Sequence, residues 1–167
     1  KQNLYRKWKS KKLNFKFIEK RNKIRSKSLS YLTKIYNKFY LGGSKTITKE
    51  NIKLLSHPIG LMCLYFDDGS LVIQKNINKN SIYLFPRIYL YTQSFSKKEN
   101  IILMKHLKDT FQVNFKLKWT PNGSNWHLAI NKRNDLKKFI DLIKPFSENI
   151  DCMQYKVNLV KRLNKKK

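Results

Sequence analysis

The chain has 167 residues, with 37 Lys+Arg against 10 Asp+Glu and a formal net charge of +27, so its surface repels itself until a polyanion neutralises it. Hydrophobic residues make up 41% and aromatics 13%, too much apolar matter for a disordered basic tail. The longest apolar run, 59–66, falls far short of the roughly 20 residues a membrane-spanning helix needs, and no apolar stretch follows the basic start as a secretory signal would require.

These limits predict one compact domain with basic extensions, bound to nucleic acid and not to a membrane. Residues 1–27 hold twelve basic residues and one acid, Glu19, interleaved with Leu4, Tyr5, Trp8, Leu13, Phe15, Phe17 and Ile18. So dense a block of like charge reads as an arm laid along phosphates, with Lys7, Lys9, Lys11, Lys12, Arg21, Lys23 and Arg25 as its contacts. Residues 29–40 space Leu29, Leu32, Ile35, Tyr36 and Phe39 as a helix does, and Gly42-Gly43 stops it. A short extended piece, 45–47, follows.

Pro58 suits the first turn of an apolar helix that ends at Asp67-Asp68-Gly69, with Gly69 fitted to the turn. Residues 71–74 and 82–92 read as strands, with Pro86 demanding a bulge or an edge. Ser96 and Glu99 form a capping box that opens a helix to Phe111, with Leu103, Leu107 and Phe111 inward and Ile102 or Met104 beside them. Residues 113–119 and 126–131 form a hairpin around Pro121-Asn122-Gly123. A last amphipathic helix, 135–143, carries Leu136, Phe139, Ile140 and Ile143 and is stopped by Pro145. From Lys156 onward the chain is basic, ending in Lys165, Lys166 and Lys167. Helix, two strands, helix, two strands, helix is an α+β pattern with an antiparallel sheet covered on one face. The free face would then carry Gln74, Arg87, Tyr89, Lys116, Lys118 and His127.

Neither the two cysteines (Cys63, Cys152) nor the three histidines (His57, His106, His127) match a metal-ligand spacing, and structural roles are expected for them. The abundance of Lys, Asn and Ile fits an AT-rich genome and hints at an organelle.

At Pro58 and Phe66-Asp67-Asp68-Gly69-Ser70 the sequence resembles the LAGLIDADG homing endonucleases, in particular the second motif, L-x-P-x-x-L-A-x-W-F-x-D-D-G, of their two-repeat, intron-encoded mitochondrial type. Thr92-Gln93-Ser94-Phe95-Ser96 with Glu99 is similar to that family's T-Q-S-F-(S/T)-x-x-E. Leu142-Ile143-Lys144-Pro145-Phe146 resembles its L-I-K-P-Y, Met153-Gln154-Tyr155-Lys156-Val157 its M-x-Y-K-L, and Lys45-Thr46-Ile47 its K-T-I-P. The resemblance implies an αββαββα fold whose sheet saddle sits in the DNA major groove. It also implies two motif helices side by side, each giving one carboxylate to a divalent-metal centre. Asp68 matches that acid and metal ligand, and Lys45 and Lys156 match lysines near the reacting phosphate. Binding would need no cofactor; cleavage would need Mg²⁺.

The match is incomplete. The upstream acids Glu19 and Glu50 close no second motif helix, and Met62 stands where the family has Ala at the helix seam. Residues 1–27 therefore read as a basic arm, 28–56 as a remnant of a first repeat or a connecting helix, 57–157 as the LAGLIDADG-type domain and 158–167 as a basic tail. The main expectation is a protein that binds structured RNA without cleaving it, as part of a mitochondrial ribonucleoprotein such as the ribosome. Three alternatives stay open: a DNA endonuclease acting as a homodimer, one half of a split enzyme, and an intron maturase.

Overall fold

The computed structural model describes residues 2–79, 81–120 and 125–164. Its elements run α1 (Gln2–Leu13), β1 (Lys16–Ile18), β2 (Lys23–Arg25), α2 (Ser30–Phe39), β3 (Tyr40–Leu41), β4 (Ser44–Lys45), α3 (Pro58–Asp68), β5 (Gly69–Asn78), β6 (Ser81–Leu90), α4 (Lys97–Phe111), β7 (Lys116–Thr120), β8 (Asn125–Ile130), α5 (Arg133–Ser147) and α6 (Leu159–Asn164). From α3 to α5 the order is αββαββα, as the resemblance implied. Strands β5 to β8 form one antiparallel sheet in the order β5-β6-β8-β7.

The sheet buries one face. Leu71 and Ile73 of β5, Ile88 and Leu90 of β6, and Leu128 and Ile130 of β8 alternate into a core shared with α3, α4 and α5. Helix α3 crosses α5 through an edge-to-face contact of Tyr65 with Phe139, 5.0 Å between centroids. Helix α4 buries Leu103, Leu107 and Phe111, with Ile102 and Met104 half-buried, and α5 buries Leu136, Phe139, Ile140 and Ile143. The capping box is present: Glu99 N–H donates to Ser96 Oγ at 3.3 Å, and Ser96 N–H donates to Glu99 Oε2 at 2.8 Å. Pro58 opens α3, and His57 adds the cap by accepting the Ile59 N–H on Nδ1 at 3.2 Å.

Three expectations are corrected. The first 27 residues do not form an extended arm. They fold into α1 and the β1–β2 hairpin, because Tyr5 (2% exposed) anchors α1 by meeting Phe66 edge-on at 5.6 Å and stacking on Trp8 at 5.9 Å. Pro145 does not stop α5, which continues to Ser147. Its last turn is held by Phe146 against His57 (5.3 Å) and by Gln154 Nε2, which donates to the Ser147 carbonyl at 2.6 Å. Gly69 is not placed for a left-handed turn, since its φ is −113°. Space requires it: a Cβ there would lie 2.1 Å from a Tyr65 ring carbon. Met62 is fully buried in the core, and α1 meets α3 at Phe66.

Pro86 occupies an effective edge. Strand β8 pairs only with 88–90 of β6, so the side of β6 where Pro86 lacks an N–H has no neighbour to serve. The turn 121–124 and the closing Lys165, Lys166 and Lys167 lie outside the described residues.

Candidate nucleic-acid interface

Register places one set of side chains on the uncovered face of the sheet. Ser70, Val72, Gln74 and Asn76 of β5 stand opposite Tyr89, Arg87, Phe85 and Tyr83 of β6. Tyr89 neighbours Ala129 of β8, which pairs with Lys116 of β7, and Lys118 pairs with His127. All six residues expected on this face are therefore on it. No acidic residue occurs anywhere in β5 to β8, so nothing in the sheet opposes the charges of Arg87, Lys116 and Lys118.

On this face His127 is nearly covered by its neighbours, 5.6 Å from the Tyr89 ring, with Nδ1 3.1 Å from Thr120 Oγ1. Burial, and then the Lys118 ammonium, hold its imidazole below the ordinary histidine value. It is thus a neutral packing residue at pH 7 and adds no charge to the face.

The cations of the first 27 residues divide into two groups. Lys7 pairs with Glu19 at 2.6 Å, and Lys9 Nζ donates to both carboxylate oxygens of Asp67 at 2.9 Å. Lys11, Lys12, Arg21, Lys23 and Arg25 remain exposed. Arg21 and Lys23 share with Arg6 and Lys9 a cavity of about 400 Å³ between α1 and the hairpin.

Asp68 lines a separate cavity of about 260 Å³ with Lys45, Tyr91, Ser94 and Phe95. Asp68 and Lys45 thus line one cavity. Lys45 Nζ lies 5.6 Å from the Phe95 ring centre. Lys156 does not line this cavity but lies close behind Asp68, at the end of α3. Its buried Nζ donates to the carbonyls of Phe66 at 2.6 Å, Gly69 at 2.7 Å and Tyr65 at 3.3 Å, closing the C-terminal end of α3. Burial lowers its pKa, and the carboxylates of Asp67 and Asp68 oppose that shift.

Among the described residues, α1 supplies no second carboxylate for the metal centre that the resemblance implies. Helix α1 offers Asp67 a lysine, and among the described residues no three of His, Cys, Asp and Glu come together. No chemical step through a metal is derived from this chain alone.

One position beside the site, Asn100, carries no local sequence signal. Asn100 is fully buried, and its Nδ2 donates to the carbonyls of Phe95 (3.0 Å), Ser96 (3.1 Å) and Thr92 (3.3 Å), while Thr92 Oγ1 donates to its Oδ1. Against the opposing cost of burial, hydrogen bonds from Ser96 and Ile47 hold the Glu99 carboxyl below its usual value. Through Ile47 N–H to Glu99 Oε1 (2.8 Å), the segment carrying Lys45 is tied to the start of α4. The Thr92-to-Glu99 motif is therefore a brace that positions the Lys45–Asp68 cavity. The remaining histidine, His106, bonds the Leu55 carbonyl through Nε2 at 2.7 Å. No helix among the described residues is long and apolar enough to cross a membrane.

Comparison with known proteins agrees with this architecture. A family described as LAGLIDADG DNA endonuclease matches residues 1–139. Among solved structures, the homing endonuclease I-WcaI bound to its DNA recognition sequence is similar with a TM-score of 0.65 and 23% identity, over 80% of this chain and 55% of that one. Meganuclease I-SmaMI bound to uncleaveable DNA with a TTGT central four aligns with a TM-score of 0.45 and 14% identity, over 78% and 45% of the two chains. This chain therefore spans about half the length of each.

Proposed function

Because this chain belongs to the LAGLIDADG DNA endonuclease family, we propose that it is a DNA-binding protein of the homing-endonuclease type, holding a duplex against the open face of its sheet. The observation that carries this reading is the acid-free sheet, with Arg87, Lys116 and Lys118 co-facial on it. Such a surface gains free energy by displacing counterions from phosphates, and a two-stranded β-ribbon fits the major groove. The fold it shares with I-WcaI is, in that protein, bound to a DNA recognition sequence.

Cleavage by this chain alone is not part of the proposal. Among the described residues lining the Lys45 cavity, Asp68 is the one acid, and Asp67 pairs with Lys9. A cleaving site would need a second carboxylate from outside these residues to hold Mg²⁺ together with Asp68. The net charge of +27 suits any phosphate backbone, and in a second reading the same surface holds structured RNA in a mitochondrial ribonucleoprotein.

The test is a titration of the purified chain with a library of duplexes, in Mg²⁺ and at two salt concentrations, with a structured RNA as competitor. Saturable, salt-sensitive duplex binding without strand scission is expected. Site-specific scission that disappears in Asp68→Asn would overturn the non-cleaving part. Binding of the RNA alone would replace the first reading by the second.

A further inference from the structure

Strands β5 and β6 pair along their full length, from Gly69↔Leu90 to Asn78↔Ser81, while β8 supports only 88–90 of β6. Beyond that support the two strands continue as a free ribbon. Ribbons that leave the core are ordinarily polar, because nothing packs on them. This one exposes Tyr83 (48%) and Phe85 (47%) on the face that also carries Arg87, and Ile77 and Ile82 on the other. Side chains two apart on a strand are separated by roughly 6.8 Å. Tyr83, Phe85 and Tyr89 with its stacked neighbour Tyr91 thus form an aromatic row interrupted by one arginine.

We infer that this ribbon is a stacking platform for unpaired bases, so that the preferred ligand is a duplex continued by a single strand. The inference rests on the proposed binding face and names its ligand class more closely. In a paired duplex the base faces are already stacked on each other, and only base edges line the groove. Edges are read chiefly by Arg, Lys, Asn and Gln, and a ring meets there only the methyl group of a thymine. An exposed ring finds a partner face only where bases are unpaired. Charge points to a nucleic acid: from Gly69 to Lys98 there is no acid, while Lys75, Lys79, Arg87, Lys97 and Lys98 are present. Gln74 and Asn76, which face the same way as Phe85 and Tyr83, add amides able to bond base edges. The duplex would lie over Arg87, Lys116 and Lys118, and the single strand would run out along Phe85 and Tyr83.

The experiment compares three fluorescent DNAs by anisotropy: a blunt duplex, the same duplex with an unpaired oligothymidine extension, and the free single strand. It uses the full chain and the double variant Tyr83→Ala/Phe85→Ala, whose unfolding midpoint is checked first. Both side chains are half-exposed and outside the core, so folding is expected to be retained. Stacking one or two bases should make the extended duplex bind about tenfold tighter or more than the blunt one. In the double variant that advantage should vanish while blunt-duplex affinity stays within about twofold. Equal affinity for blunt and extended duplexes would overturn the inference and leave the binding face standing. So would an equal loss on both DNAs in the double variant, which would mark the rings as structural or as a protein-docking patch. Absence of binding to all three would instead remove the proposed function itself.

Discussion

Replacing Lys156 by methionine should lower the stability of the fold by about 3–5 kcal/mol, read as a shift in the denaturant midpoint with an unchanged slope. The reason is geometric. The last carbonyls of a helix have no partner within it and carry the negative end of its dipole. At the end of α3 those of Tyr65 and Phe66, with that of Gly69 just beyond, converge on one buried ammonium at 3.3, 2.6 and 2.7 Å. An ammonium has three donors, and all three are used. The bond is returned from the other side, since Tyr65 Oη donates to the Lys156 carbonyl at 2.8 Å. Methionine fills the volume but takes the ammonium from the Phe66 and Gly69 carbonyls, while the Tyr65 carbonyl keeps only the Gly69 N–H. A cost below about 1 kcal/mol would show that water or a shifted side chain replaces the cap, and with it the argument that Lys156 is structural.

The second large effect concerns binding. Neutralising Arg87, Lys116 and Lys118 together, each to glutamine, should reduce the slope of log K against log salt by about 2–3. Affinity for a duplex near 0.1 M salt should fall by about a hundredfold or more, because each lost phosphate contact forfeits its share of counterion release. The same number of substitutions on the opposite side, at Lys105, Lys108 and Lys137, makes the comparison informative. Those residues are exposed on α4 and α5, the helices that cover the inner face of the sheet. They should change the slope little. Equal effects from the two triples would mean that net charge, not this face, holds the polymer.

Much of the architecture was legible in the sequence where local chemistry and tertiary packing agree. The Ser96/Glu99 box starts α4 because both halves of the box are within one helical turn. The spacing of Leu136, Phe139, Ile140 and Ile143 marks the one face of α5 that the core accepts. Pro58 and the apolar run after it fixed α3, and alternation placed all four strands of the main sheet.

What could not be read depends on partners distant in the chain. Tyr5 looked like one aromatic in a charged segment, and only its docking on Phe66 turns residues 2–13 into a packed helix. The Lys9–Asp67 pair joins residues 58 apart, so no local pattern announces it. The expected strand 71–74 was too short because Lys75-Asn76-Ile77-Asn78 lacks the apolar alternation of a strand lying on a core. Those residues pair with β6 in a ribbon that has no core beneath it. Asp68 and Lys45 were identified through family resemblance, and the structure places them in one cavity. Lys156 was identified in the same way, yet its ammonium is consumed by backbone carbonyls.

The most direct measurement is photo-cross-linking of the full chain to a duplex carrying a reactive base, with the attached residues mapped by mass spectrometry. Attachment at Gln74, Arg87, Lys116 and Lys118, on strands β5 to β7, is the expected result. Attachment confined to the lysines of α4 and α5, with these four residues untouched, would contradict the claim that the open sheet face carries the nucleic acid.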